Sequence, residues 1–167
     1  MQHETRNRSS YPDQGTLRAN YMKKIMIVDD EYLIRYSLAS VFRDPSTEVV
    51  AVADGKAAFE AIQREQVDLC FLDIQLPDMN GLEIMRKFRD ISPWTRIVII
   101  TGSVLTSAMM QSIHDNAHCL IAKPFDLEQV KAIANRMLTK GAPLYQEEGI
   151  MINNDESSVQ WIADDYR

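Results

Sequence analysis

The sequence lacks any long apolar stretch. Its hydrophobic runs, such as Ile25–Val28, Leu69–Leu72 and Ile97–Ile100, are short, against the roughly 20 residues that a membrane-spanning helix needs. The first 22 residues hold no hydrophobic block followed by small residues, so no secretory signal is expected. Cysteine is scarce: Cys70 and Cys119 alone, each inside an apolar run, read as buried thiols suited to a reducing cytoplasm. Basic charge is not in excess either. Eighteen Lys and Arg against 24 Asp and Glu leave a net charge of -6, which argues against nucleic acid as the main partner, because phosphate binding wants clustered cations. His114 and His118 stand four apart but have no well-spaced third ligand, so they read as exposed loop histidines and not a metal pair.

What is present fits one domain with extensions. The chain has 167 residues, 46% of them hydrophobic and 25% charged, the balance of an ordinary soluble fold. Residues 1–22 are polar, slightly basic and without either structural period, and are expected to be disordered; Met22, just before the first apolar run, is a candidate start. Most of the acidity lies in 141–167, where six acids face only Arg167.

Between these ends, residues 23–140 alternate short apolar runs with amphipathic stretches, the pattern of βα units around a parallel sheet. The expected strands are Ile25–Val28, Val49–Val52, Leu69–Leu72, Ile97–Ile100 and Cys119–Ala122. Several are continuously apolar, as strands covered on both faces should be. Helical spacing joins Ile34, Leu38, Val41 and Phe42, then Ala58, Ala61 and Ile62, then Ile84, Met85 and Phe88. A fourth helix is expected over Ser103–Asp115, and a fifth after Asp126, its cap, with Gly141 and Pro143 ending it. In the tail, Val159, Ile162 and Tyr166 fit one helix face, while Ile150–Ile152 and Val159–Ile162 equally suit two strands paired across NNDESS. Trp161 is a candidate anchor for the tail or a partner.

Polar residues terminate four of the runs: Asp29-Asp30-Glu31, Asp73, Thr101-Gly102 and Lys123-Pro124. In an open parallel sheet, sites form outside the carboxyl ends of the strands, and adjacent strands lie only about 4.8 Å apart. Three carboxylates gathered there repel unless a cation sits among them. An all-oxygen set with open positions suits Mg²⁺, and a lysine and a hydroxyl beside it suit a phosphoryl group. The chemistry indicated is phosphoryl transfer to a carboxylate nucleophile.

Taken together, KKIMIVDDE, DLCFLDIQLPDMNG, RIVIITG and LIAKPFD resemble the receiver (CheY-like) domains of bacterial two-component response regulators, over roughly residues 23–140. The resemblance implies an α/β, doubly wound, flavodoxin-like fold with a five-stranded parallel sheet in order 2-1-3-4-5. It implies Asp73 as phosphoacceptor, Asp29, Asp30, Asp73 and the Gln75 backbone carbonyl as the Mg²⁺ set (Asp29 largely through water), Thr101 as the hydroxyl that turns towards the acyl phosphate, and Lys123 as the lysine that bonds a phosphoryl oxygen. A cis Lys123–Pro124 bond is implied as well. One position departs: Leu120 stands where an aromatic read-out residue is usual.

The implied function is a stand-alone cytoplasmic regulator, phosphorylated by a histidine kinase or phosphotransfer protein. It signals to a protein target, with a phosphorylation-dependent homodimer compatible, and is not a turnover enzyme beyond self-phosphorylation and slow autodephosphorylation. The face made by the fourth helix, fifth strand and fifth helix is the implied output surface. Neither His114 nor His118 suits a phosphorelay donor. A phosphatase of the haloacid dehalogenase type is the enzyme alternative, but Gln75 stands where its general acid would be. A receiver fragment of a larger transcriptional regulator is the other, although 141–167 is too short and acidic for a helix-turn-helix.

Overall fold

A computed structural model describes residues 22–139 together with the strand backbones at Gly149–Ile152 and Val159–Ile162. The expectations for residues 1–21, for Gly141 and Pro143, and for the side chain of Trp161 lie outside the described residues.

Five βα units follow in order: β1 (Lys23–Val28), α1 (Tyr32–Val41), β2 (Thr47–Val52), α2 (Gly55–Arg64), β3 (Leu69–Asp73), α3 (Gly81–Ile91), β4 (Arg96–Thr101), α4 (Ser107–Asn116), β5 (Cys119–Ala122) and α5 (Leu127–Leu138). The strands lie in the order β2-β1-β3-β4-β5, all parallel. This is the doubly wound architecture that the resemblance implied.

The continuous apolar runs divide their residues between the two sheet faces, because successive side chains of a strand point to opposite sides. Met26, Val28, Cys70, Leu72, Ile97 and Ile99 pack with Ile84, Met85, Phe88 and Ile113 on one face. Ile25, Ile27, Phe71, Val98 and Ile100 pack with Leu38, Val130, Ile133 and Met137 on the other. Both cysteines are buried, and burial pushes each thiol up, Cys119 to about 12. Strand β2, at one edge, is only half-buried, which is why its residues include Glu48.

The sheet does not stop at β5. Strand β6 (Gly149–Ile152) pairs in parallel with β5, Cys119 opposite Ile150, and β7 (Val159–Ile162) returns antiparallel, Ile150 opposite Trp161. Of the two readings of the tail, the paired strands are the one found. The physical reason is the edge: β5 would otherwise present a row of unpaired backbone groups, and pairing satisfies them. Among the described residues the sheet therefore has seven strands, and the boundary at 140 does not mark the end of regular structure.

Two local expectations need correction. Helix α4 begins at Ser107, not near Ser103, because the Thr106 hydroxyl accepts from the Met109 amide and sets the cap there. His118 is not an exposed loop residue. It is half-buried before β5, and its Nδ1 accepts from the Ile97 amide at 3.1 Å. His114 lies in the last turn of α4, beside Asp115.

Candidate functional site

Strands β1 and β3 are neighbours, and β2 lies on the far side of β1. The chain thus reverses its winding direction at β1, and the carboxyl ends of β1 and β3 flank the crevice this creates. Asp29 follows β1 and Asp73 ends β3; both are buried, while Asp30 is exposed. Carboxylate oxygens of Asp29, Asp30 and Asp73 all lie within 4.8 Å of one another.

Lys123, just past β5, reaches into this cluster. Its Nζ lies 2.6 Å from Asp73 Oδ2, 2.8 Å from Asp29 Oδ2 and 3.0 Å from Glu31 Oε1. Burial pulls the lysine's proton affinity down, but the hydrogen bonds to Asp29, Asp73 and Glu31 outweigh it and hold the ammonium well above its usual range. Burial dominates at Asp29 and pushes its carboxyl up, with Lys123 opposing. The Lys123–Pro124 peptide is cis, as the resemblance implied.

Thr101, buried at the end of β4, pairs with Ala122 of β5, and its carbonyl accepts from the Lys123 amide at 2.8 Å. Its hydroxyl accepts from the Ser103 amide at 3.2 Å, which engages it with the β4–α4 loop. Gln75 follows two residues after Asp73, and its amide donates to Asp73 Oδ1 at 3.1 Å. The loop carrying Gln75 is closed by Gly81, whose amide donates to the Ile74 carbonyl. A Cβ at Gly81 would lie 2.1 Å from the Asp73 carbonyl oxygen, so only glycine lets α3 start this close to the end of β3. Beside the acids, the β3–α3 and β4–α4 loops frame an open, largely apolar cleft of about 410 Å³ that includes Gln75, Met79, Ser103 and Val104.

The structure thus gathers Asp29, Asp30, Asp73 and Lys123 directly, with Thr101 and Gln75 tied to them through backbone contacts. Leu120 faces the α4 side of the core and is buried. Three contributors were not read from the sequence. Glu31 is the N-cap of α1, but its side chain makes no cap and goes to Lys123 instead. Arg35 donates from Nη1 to the carbonyls of Asp29 and Asp30. Asp78 accepts from the Gly55 and Lys56 amides, pinning the β3–α3 loop to the start of α2. Only the run of three acids signalled Glu31 in advance; nothing local marks the other two.

The donor set suits a hard divalent cation. It consists of oxygens only, with one exposed member leaving an open side for water, the arrangement Mg²⁺ favours over dedicated protein cages. Asp29, Asp30 and Asp73 are the residues that would hold it; of Gln75, the amide is what meets the cluster, through Asp73 Oδ1.

Comparison with known proteins agrees with this geometry. Residues 25–135 match the response regulator receiver domain. Sporulation initiation phosphotransferase F of Bacillus subtilis is 32% identical over 116 residues, covering 70% of this chain and 94% of that protein. The transcriptional regulatory protein CrdR of Helicobacter pylori is 30% identical over 115 residues, covering 68% of this chain but 54% of its own. Among solved structures, response regulator TrrA of Thermotoga maritima in complex with Mg²⁺ and beryllium fluoride superposes with a TM-score of 0.62 at 26% identity, covering 70% of this chain and all (100%) of that one. The chain therefore spans nearly the whole of some relatives and about half or less of others. By its family match, its sheet order and the acids at its strand ends, the chain belongs to the response regulator receiver domains.

Proposed function

We propose that Asp73 accepts a phosphoryl group from a phosphohistidine donor, a histidine kinase or phosphotransfer protein, in a Mg²⁺-dependent step. The observation that carries this reading is the position of Lys123, bonded to both Asp73 Oδ2 and Asp29 Oδ2 across a cluster of three carboxylates. In the transfer, an Asp73 oxygen forms the new P–O bond while the donor's P–N bond breaks, and the imidazole leaves. Mg²⁺, when bound, offsets the charge of the carboxylates and the incoming phosphoryl oxygens. Lys123 exchanges a carboxylate partner for a phosphoryl oxygen, and Thr101 turns its hydroxyl from the Ser103 amide to another. Adding about two negative charges in this pocket then biases the β4–α4 loop, and the signal leaves through protein contacts.

Tyr32, Leu33 and Tyr36, at the start of α1 just after Glu31, are exposed. This apolar patch is the proposed donor contact. We read the chain as a stand-alone, cytoplasmic receiver whose activity is limited to its own phosphorylation and slow dephosphorylation. Two points support the reading: the near-complete span of the sporulation phosphotransferase and a net charge of -6 that disfavours nucleic acid. Among the described residues no helix is long and apolar enough to cross a membrane.

Incubation with acetyl phosphate and Mg²⁺ should add one phosphoryl mass to the wild type and none to Asp73→Asn. Labelling that persists in Asp73→Asn, or that is undiminished by EDTA, would overturn the assignment.

A further inference from the structure

We propose that Arg35 is a positioning residue for the acidic pair: it holds the backbone of Asp29 and Asp30 so that their carboxylates meet a divalent cation already in place. The inference rests on the Mg²⁺ reading above. Arg35 lies one helical turn beyond Glu31, and helical side chains lean towards the N-terminus. Its Nη1 thereby reaches back to donate to the Asp29 carbonyl at 2.7 Å and the Asp30 carbonyl at 2.8 Å.

These two bonds complete the pairing of the loop. The Asp29 amide donates to the Val52 carbonyl, the Glu31 amide to Asp29 Oδ1, and the Arg35 amide to the Glu31 carbonyl. With Arg35 in place, each backbone carbonyl from Asp29 to Glu31 accepts a hydrogen bond, and the turn has little freedom to rotate. The Tyr32 ring lies 5.9 Å from the guanidinium carbon and itself stacks on Tyr36 at 6.1 Å, which keeps the arginine folded back.

Charge alone does not define the role of Arg35: Asp29, Asp30 and Glu31 attract a cation here, but other effects oppose it. A positive charge near a helix N-terminus opposes the helix dipole, and this one also stands beside a site meant for a divalent cation. No side chain caps α1 and its first turn holds no acid, although Glu31 at the N-cap and the adjacent Asp29 and Asp30 are acidic. A geometric role accounts for what charge does not: charge-assisted bonds to two successive carbonyls fix the turn that carries two metal ligands. Mg²⁺ demands near-ideal octahedral geometry, whereas Ca²⁺ accepts irregular oxygen sets. A looser turn should therefore lose Mg²⁺ more than Ca²⁺.

The test is calorimetric titration of the full chain with Mg²⁺ and with Ca²⁺, comparing wild type, Arg35→Lys and Arg35→Met, alongside urea unfolding in EDTA. Lysine keeps the charge but ends short of the Nη1 position; methionine removes both charge and donors. Arg35→Lys should weaken Mg²⁺ binding about 10-fold, the scale of losing an outer partner of a metal ligand, with a clearly smaller loss for Ca²⁺. Arg35→Met should also bind Mg²⁺ more weakly than wild type. Unchanged Mg²⁺ affinity in Arg35→Lys would overturn the proposal, as would tighter binding in Arg35→Met, which would make Arg35 only a repelling charge. Parallel losses for both ions, tracking a loss of stability in EDTA, would overturn it too, by reducing Arg35 to a general structural part. If the wild type binds no Mg²⁺, the metal reading itself falls, a result distinct from any difference among variants.

Discussion

Replacing Lys123 by methionine removes the ammonium that joins three carboxylates in the metal-free protein. Its Nζ contacts Asp73, Asp29 and Glu31 at 2.6, 2.8 and 3.0 Å, and the first two partners are almost wholly buried. At an effective dielectric of 20, a pair at such a distance attracts by about 6 kcal/mol, before desolvation is subtracted. Breaking a buried pair by deleting one partner typically costs about 3–5 kcal/mol, because the remaining charges are left uncompensated. Glu31 is exposed and water can enter beside it, so the lower end, about 3 kcal/mol, is the expected loss at pH 7 in EDTA. Mg²⁺ should reverse much of it. The cation supplies the missing positive charge and no longer competes with an ammonium, so Lys123→Met should bind Mg²⁺ more tightly than wild type. Saturation at about 100 times the dissociation constant adds about 2.7 kcal/mol. Urea unfolding with and without Mg²⁺ measures both effects. A deficit under about 1 kcal/mol in EDTA, or one that widens when Mg²⁺ is added, would refute the reasoning that Lys123 balances the site's charge.

Further outcomes follow from individual contacts. Gly81→Ala should destabilise the protein by at least about 2 kcal/mol in urea unfolding, since the new Cβ meets backbone of Asp73 and Ile74 that cannot move aside. Gly102→Ala, whose nearest neighbour would be Lys123 Cβ at 3.6 Å, should be tolerated, and equal effects at the two glycines would contradict the packing argument. Hydrogen bonds from the Gly55 and Lys56 amides hold the Asp78 carboxyl below its usual range. Its stabilising contribution is therefore complete above the unfolded value and lost as pH falls through the lower folded value. Asp78→Asn should accordingly be less stable than wild type at pH 7, with the gap closing in strong acid; a gap constant with pH would exclude this linkage. A chain ending at residue 140 uncovers the β5 edge that β6 now pairs, and light scattering should show concentration-dependent association that the full chain does not share.

The five-stranded core and most of the site were legible in the amino-acid order, because both rest on local patterns. Buried parallel strands demand continuous apolar runs, and Ile25–Val28, Leu69–Leu72 and Ile97–Ile100 supply them; the polar residues that end those runs fall at the carboxyl edge by the geometry of the sheet itself. Asp126 capping α5 was legible for the same reason, since a cap acts within three residues. What tertiary structure alone decided involves partners distant in sequence or choices between equal local options. Lys123 bonds Glu31 across 92 positions, and Asp78 reaches α2 across 23; no spacing announces either. The start of α4 turned on whether Thr106 or an earlier residue took the cap, and Val159 and Ile162 suited a helix face and a strand alike, a choice decided by pairing that extends the sheet from the β5 edge. Local sequence specifies where strands and acids lie, but backbone groups left unsatisfied by local structure find their partners only in the folded chain.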